Sequence, residues 1–282
     1  MDVAGLMTTV PWLMNMLRKV PGATGVFERF AQWCYDQLEE KREALKVANK
    51  GQQPRDVISW LIKSEDEASG MAGSTSAAIQ EDARVLIIAG SDTAASAITN
   101  TLYFLAKYPA VCEKLQQLLK VIFPAGDTDW NYAKVKAIPY LDYIINETLR
   151  LRPAAPIGFL RETPPQGLQV DDVFIPGGTI VSVPTWAIHR DSRNWERPDD
   201  FVPERWEKMS TNTAPYIAFQ RGPFSCAGKN LAIMELRMVI SRIVLRYRIA
   251  FAPGEDGEAF QSGAKEKLTL WLPPLRMVFT RR

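Results

Sequence analysis

The chain is sparing with the residues that build most metal and disulfide sites, having three cysteines, Cys34, Cys112 and Cys226, and a single histidine, His189. The cysteines are far apart and make no Cys-x-x-Cys pair, which argues against zinc, an iron-sulfur cluster and a disulfide framework, and agrees with a reducing compartment. Charge of one sign is also missing: 34 basic against 32 acidic residues leave a net charge of +2, so no nucleic-acid or polybasic membrane surface is indicated. No stretch reaches about 18 apolar residues without a charge, so no segment reads as a bilayer-crossing helix. A Gly-x-Gly-x-x-Gly fingerprint for flavin or nicotinamide is absent, as are a Gly-x-Ser-x-Gly elbow and any internal repeat. What remains is 282 residues with 46% hydrophobic content, enough for a sizeable core in one or two domains. Ser64 to Ser76 and Pro253 to Gly263 read as loops.

Against that background one stretch carries chemistry, the run Phe219-Gln220-Arg221-Gly222-Pro223-Phe224-Ser225-Cys226-Ala227-Gly228. A lone thiolate suits haem, which needs only one such protein ligand. Gly222 allows a tight turn, and Gly228 lets the backbone approach a flat macrocycle. The segment Lys229 to Val244 reads as a helix whose first amides face the sulfur and favour the thiolate. Two other readings of Cys226 stand beside this one. A buried inert thiol is common for cysteine, and a hydrolase would use Cys226 as nucleophile with His189 as its base.

The run resembles the cysteine loop of the cytochrome P450 family, Phe-x-x-Gly-x-Arg-x-Cys-x-Gly, matched by Phe219, Gly222, Cys226 and Gly228. The continuation Gly228-Lys229-Asn230-Leu231-Ala232 is also similar to the family's following helix. One position departs: the family places a cation that pairs with a haem propionate where this chain has Phe224. Arg161 is the leading candidate to replace it, with a surface position as the alternative.

Further elements occur in the family's order. A long helix is expected from about 77 to 108, capped by Ser76 and stopped by Pro109. Ile79, Ala83, Leu86 and Gly90 follow at three- or four-residue steps, which puts Gly90 on the apolar face, although glycine costs about 1 kcal/mol inside a helix. Asp92 and Thr93 resemble the family's oxygen-activation pair, which relays protons; otherwise they are an exposed acid and a hydroxyl bonded to the preceding turn. Glu147 and Arg150 share one face of a helix expected at about 141 to 151. With Arg205 of Pro203-Glu204-Arg205-Trp206 they resemble the family's buried charge network, a structural role in which a guanidinium outperforms lysine. Short strands with a turn are expected over about 168 to 183, and Leu268 to Leu272 and Arg276 to Phe279 read as a further strand pair around Pro273-Pro274.

Only 76 residues precede the long helix, whereas family members normally carry several helices and a membrane anchor or leader there. The expected fold is mainly α with small β-sheets, an N-terminally truncated cytochrome P450 fold forming one domain over 1–282. Val26 to Val47 and the stretch from Gln53 read as helices. Val3 to Leu17, apolar but interrupted by Pro11 and without an early basic residue, reads as a packing helix rather than a signal h-region. The resemblance implies haem b ligated by Cys226, reductive activation of dioxygen and oxygenation of a small apolar organic substrate. It also implies electrons from a separate NADPH-dependent reductase. Trp186 to Asp191 and Cys226 to Ala232 look most like fungal members of secondary metabolism. A weakly haem-binding, non-catalytic remnant is the alternative. Family members are typically anchored in the endoplasmic reticulum, and the location of this chain is left open.

Overall fold

The computed structural model describes residue 16 and residues 24–47, 54–66 and 76–282; the expected N-terminal packing helix falls largely outside them. The chain divides into two compact units, Met1–Ser91 and Asp92–Arg282. In the first, helix α1 (Gly25–Val47) and helix α2 (Val57–Asp66) meet the start of helix α3 (Ser76–Lys107). Leu38, Ile62, Ile79 and Ala83 form its apolar core. Asp56 starts α2 by accepting the Ser59 amide at 2.8 Å, which satisfies one of the free donors of the first turn.

The expected apolar stripe of α3 is only half realised. Ile79 and Ala83 are buried, whereas Leu86 and Gly90 are exposed. A Cβ at Gly90 would meet nothing within 4 Å. Ser76 is the first helical residue rather than the cap, and the helix ends at Lys107. Pro109 does more than stop it, because after a break at Tyr108 it opens helix α4 (Pro109–Ile122) as its first residue. Proline is accepted there since the first-turn amide has no intrahelical partner.

In the second unit, α4, the short helix α5 (Tyr132–Val135) and helix α6 (Pro139–Leu151) pack against helix α8 (Lys229–Arg246). Leu105, Leu115, Leu119, Leu141, Ile144, Leu236, Ile240 and Val244 are buried at their shared core. Arg237 of α8 grips Asp142 of α6 with two bonds of 2.6 Å. Between α6 and α8 lie four short strands, β1 (Arg161–Glu162), β2 (Leu168–Val170), β3 (Val173–Ile175) and β4 (Ile180–Val181), followed by the single turn of helix α7 (Thr185–Ile188). β2 pairs with β3, and β4 reaches back to β1, both antiparallel. The sheet region therefore begins at Arg161, earlier than the alternation of residues 168 to 183 suggests.

The C-terminal pairing differs from expectation. Strand β7 (Thr269–Trp271) pairs with β6 (Lys265–Lys267), and β8 (Met277–Arg281) pairs with β5 (Tyr247–Phe251). Pro273 and Pro274 separate β7 from β8, and proline offers no amide to a ladder. β5 follows α8 with no intervening turn residue, so no local signal marks where it begins. The expected loop at 253 to 263 contains helix α9 (Glu258–Ser262), whose Phe260 is fully buried.

Candidate functional site

Helix α6 carries the polar centre of the second unit. Glu147 and Arg150, three residues apart on one face, are both 0% exposed. The Glu147 carboxylate accepts Arg150 Nε and Nη2 and Arg205 Nε, all at 2.9 Å, together with the Val202 amide and the Trp206 indole at 3.0 Å. Arg150 spends its remaining donors on the carbonyls of His189 at 2.7 Å, Pro198 at 2.6 Å and Asp200 at 3.0 Å. Every N–H of this guanidinium is thus satisfied, whereas a lysine would bring three donors from a single point. The buried network expected from the sequence is present, and Trp206 and the Val202 amide are additions to it.

His189 belongs to the same network. Its Nε2 accepts the Ile217 amide at 2.9 Å, so the proton sits on Nδ1, which donates to the Arg150 carbonyl at 3.0 Å. Burial pushes its pKa down to about 4. A fully buried, neutral ring with both nitrogens engaged cannot serve as a general base for Cys226. That removes the hydrolase reading.

Ile217 leads directly into the cysteine loop. The Ile217 carbonyl accepts the Gln220 amide at 2.9 Å, and the Phe219 carbonyl accepts the Cys226 amide at 2.8 Å, closing the loop on itself. Gly222 takes φ +79° within it, a left-handed conformation that costs a side-chain-bearing residue about 1 kcal/mol or more. Arg221 pins the base of the loop to the carbonyls of Thr211 (3.1 Å) and Ala214 (2.6 Å). Gly228 caps α8, and a Cβ placed on it would stand 3.8 Å from the Cys226 sulfur. Residues 221–230 are all exposed. Cys226 is exposed while Cys34 and Cys112 are buried, so the inert-thiol reading fits those two and not Cys226.

Arg161 lies at this loop: its guanidinium carbon is 5.0 Å from the Phe224 ring centroid and 6.0 Å from that of Phe159. Gly158 passes so close to the Val183 carbonyl, 2.4 Å from an imagined Cβ, that only glycine fits. Phe159 and Leu160 adjoin Arg161, Ile157 and Val183 flank the close approach at Gly158, and all four side chains are exposed. An accessible thiol, open apolar side chains and one arginine form a donor set that suits a flat, apolar, iron-bearing macrocycle with acidic edges.

The cytochrome P450 family model matches residues 4–279. The chain belongs to the cytochrome P450 family. It is 62% identical to the cytochrome P450 monooxygenase eupD of Phoma sp, with all of both chains covered. It is 37% identical to the cytochrome P450 monooxygenase orf5 of Eupenicillium brefeldianum, covering 100% of this chain and 56% of that protein. A zebra fish cytochrome P450 solved with abiraterone superposes with a TM-score of 0.79 at 25% identity, over 95% of this chain and 62% of that one. The chain thus spans the full length of the first relative and just over half of the second. As a member of the family it has haem as its implied cofactor, and its fold is the mostly helical P450 fold with small sheets.

The remaining residues singled out by the sequence lie on α3. Gly90 and Asp92 are exposed and Thr93 is half-buried. Asp92 Oδ2 accepts the Thr269 hydroxyl at 2.5 Å. The β6–β7 hairpin is tied down a second time by the Leu270 amide, which donates to the Ala154 carbonyl at 2.8 Å. Thr269 has no signal in the sequence, because its partner is 177 residues away. His189 was visible as the only histidine, but sequence offered it as a base and not as a bridge.

Proposed function

We propose that the chain acts as a haem-thiolate monooxygenase of fungal secondary metabolism, in which the Cys226 thiolate would hold haem b. The supporting observation is that Cys226 is the exposed cysteine among three and stands at the N-terminus of α8 in a loop closed by its own amide. Phe219, Gly222 and Gly228 shape that loop, and Arg161 pairs with a propionate in place of the cation that Phe224 displaces. Haem, when bound there, supplies reductive activation of dioxygen, for which thiolate ligation favours O–O cleavage. Asp92 and Thr93 hold and move protons on α3, where Gly90 leaves room beside the helix. Thr269 keeps the Asp92 carboxylate aimed by its hydroxyl. Exposed apolar side chains beside Arg161 exclude water once covered, which strengthens every charge interaction they enclose. A small apolar organic molecule is the substrate class, and a separate NADPH-dependent reductase is the electron donor.

The test is spectroscopic. Haem is added to the chain, and the reduced carbon monoxide complex is recorded for the unsubstituted protein and for Cys226→Ala, Cys34→Ala and Cys112→Ala. A thiolate-type red-shifted Soret band that disappears only in Cys226→Ala is expected. Its persistence in Cys226→Ala would overturn the ligand assignment.

A further inference from the structure

His189 is a fully buried histidine outside the reacting groups, and each of its polar atoms is engaged. On one side it meets α6: Nδ1–H donates to the Arg150 carbonyl at 3.0 Å, and its own carbonyl accepts Arg150 Nη1 at 2.7 Å. On the other side Nε2 accepts the Ile217 amide at 2.9 Å. Two aromatic contacts lock the ring plane, a parallel stack on Tyr216 at 5.1 Å and an edge contact with Trp195 at 6.4 Å. From Ile217 the hydrogen bonds continue to Gln220, and from Phe219 to the Cys226 amide at 2.8 Å.

We propose that His189 is a positioning residue for the cysteine ligand, transmitting the fixed geometry of the Glu147–Arg150 network through the Ile217 amide to the loop that presents Cys226. The inference rests on the haem-thiolate reading of Cys226. A rigid ring suits the task because its donor and acceptor lie on opposite edges, so α6 and the loop are held at one separation. Among the described residues, His189 Nε2 is the acceptor of the Ile217 amide. Releasing that amide frees the segment whose Phe219 carbonyl anchors Cys226, so the sulfur loses its fixed direction while the remainder of the core keeps its bonds.

Two substitutions separate this role from general core stability. In His189→Gln the side-chain oxygen reaches the place of Nε2, accepts the Ile217 amide and gives up the Arg150 carbonyl. In His189→Asn the side-chain nitrogen stands near Nδ1, serves the Arg150 carbonyl and leaves the Ile217 amide without an acceptor. Each loses one buried hydrogen bond, a similar cost of about 1 kcal/mol. Amide exchange at Ile217 is measured in the haem-free full chain, and the carbonyl spectrum is measured after haem addition. Ile217 exchange about fivefold faster in His189→Asn, but near the parent rate in His189→Gln, is expected from a bond of that size. The thiolate-type band should persist in His189→Gln and convert towards a thiol-type band in His189→Asn. Equal exchange in the two variants, or loss of the thiolate-type band in His189→Gln, overturns the proposal. Should His189→Asn fail to fold, His189→Gln decides alone: retained protection and band support the role, and their loss refutes it. If the parent chain itself gives no thiolate-type band, the haem reading falls, and the exchange contrast still decides whether His189 orders the loop.

Discussion

The Glu147–Arg150 network and the cysteine loop lie in the same unit, yet they are built on opposite principles. In the first, two fully buried charges are matched bond for bond by protein donors and acceptors. In the second, residues 221–230 are exposed, and the loop is held from behind, through the backbone bond to Phe219 and the arginine clasp of Arg221, with Arg161 against the Phe224 ring. A completed network fixes position; an outward-facing loop leaves its side chains accessible. Burial of the first is what lets the second stay open, since a loop with so little core of its own needs a rigid support.

The sharpest way to break that contrast is to truncate one side chain on each side. Glu147→Ala leaves two guanidinium groups short of their carboxylate and should cost about 3–5 kcal/mol in urea unfolding, the range for stripping one partner from a buried pair. Phe224→Ala, at 71% exposure, should stay within about 0.5 kcal/mol, as for surface substitutions generally. Comparable losses in both would show that the loop is part of the core.

Acid provides the next largest effect. The His189 pKa is lowered to about 4 from an ordinary 6.5, first by desolvation and also by the nearby positive charges of Arg150 and Arg190. The unfolded chain therefore takes up the proton first. The contribution of neutral His189 is complete above pH 6.5 and is lost as pH falls through about 4. A gap of that width is worth about 3 kcal/mol. Stability measured from pH 7.5 to pH 4 should decline in the parent chain and decline less in His189→Gln, which has nothing to protonate there.

Haem affinity sharpens the loop's side of the comparison. A charged hydrogen bond contributes about 1.5–3 kcal/mol, so Arg161→Gln should weaken haem binding at least about tenfold in a titration. Phe224→Arg should restore much of that loss by returning a cation to the family's usual place. An unchanged dissociation constant in Arg161→Gln would leave its stacking on Phe224 as an ordinary cation–π contact.

The smallest effect concerns the hairpin. Thr269→Val removes the hydroxyl on Asp92 while keeping the side-chain shape. Because Asp92 is exposed, the coupling read from a double-mutant cycle with Asp92→Asn should be only about 0.5–1 kcal/mol. A coupling near zero would show that the hairpin rests on its other tie, Leu270 to Ala154.

Local pattern made much of this legible. Three-residue spacing put Glu147 and Arg150 on one face, the terminal proline and cap residues located the long helices within a residue or two, and the cysteine loop stood out by its glycines. Where pattern failed, the cause was a partner far along the chain. Nothing near Tyr247 announces that β5 will pair with β8, and a strand that follows a helix without a break carries no boundary signal. The exposed half of the α3 stripe also shows that apolar spacing marks a face without saying what lies against it.

The sequence by itself determined the family, the helical class, the cysteine loop and the charged residues of the network, because those depend on residue type at short spacing. Only the tertiary structure decided that His189 bridges Arg150 to Ile217, that Thr269 holds Asp92, and that Arg161 stands over Phe224. Each of those contacts joins residues 28 or more positions apart, and a hydrogen bond or ring contact forms only after packing has brought both partners within a few ångströms.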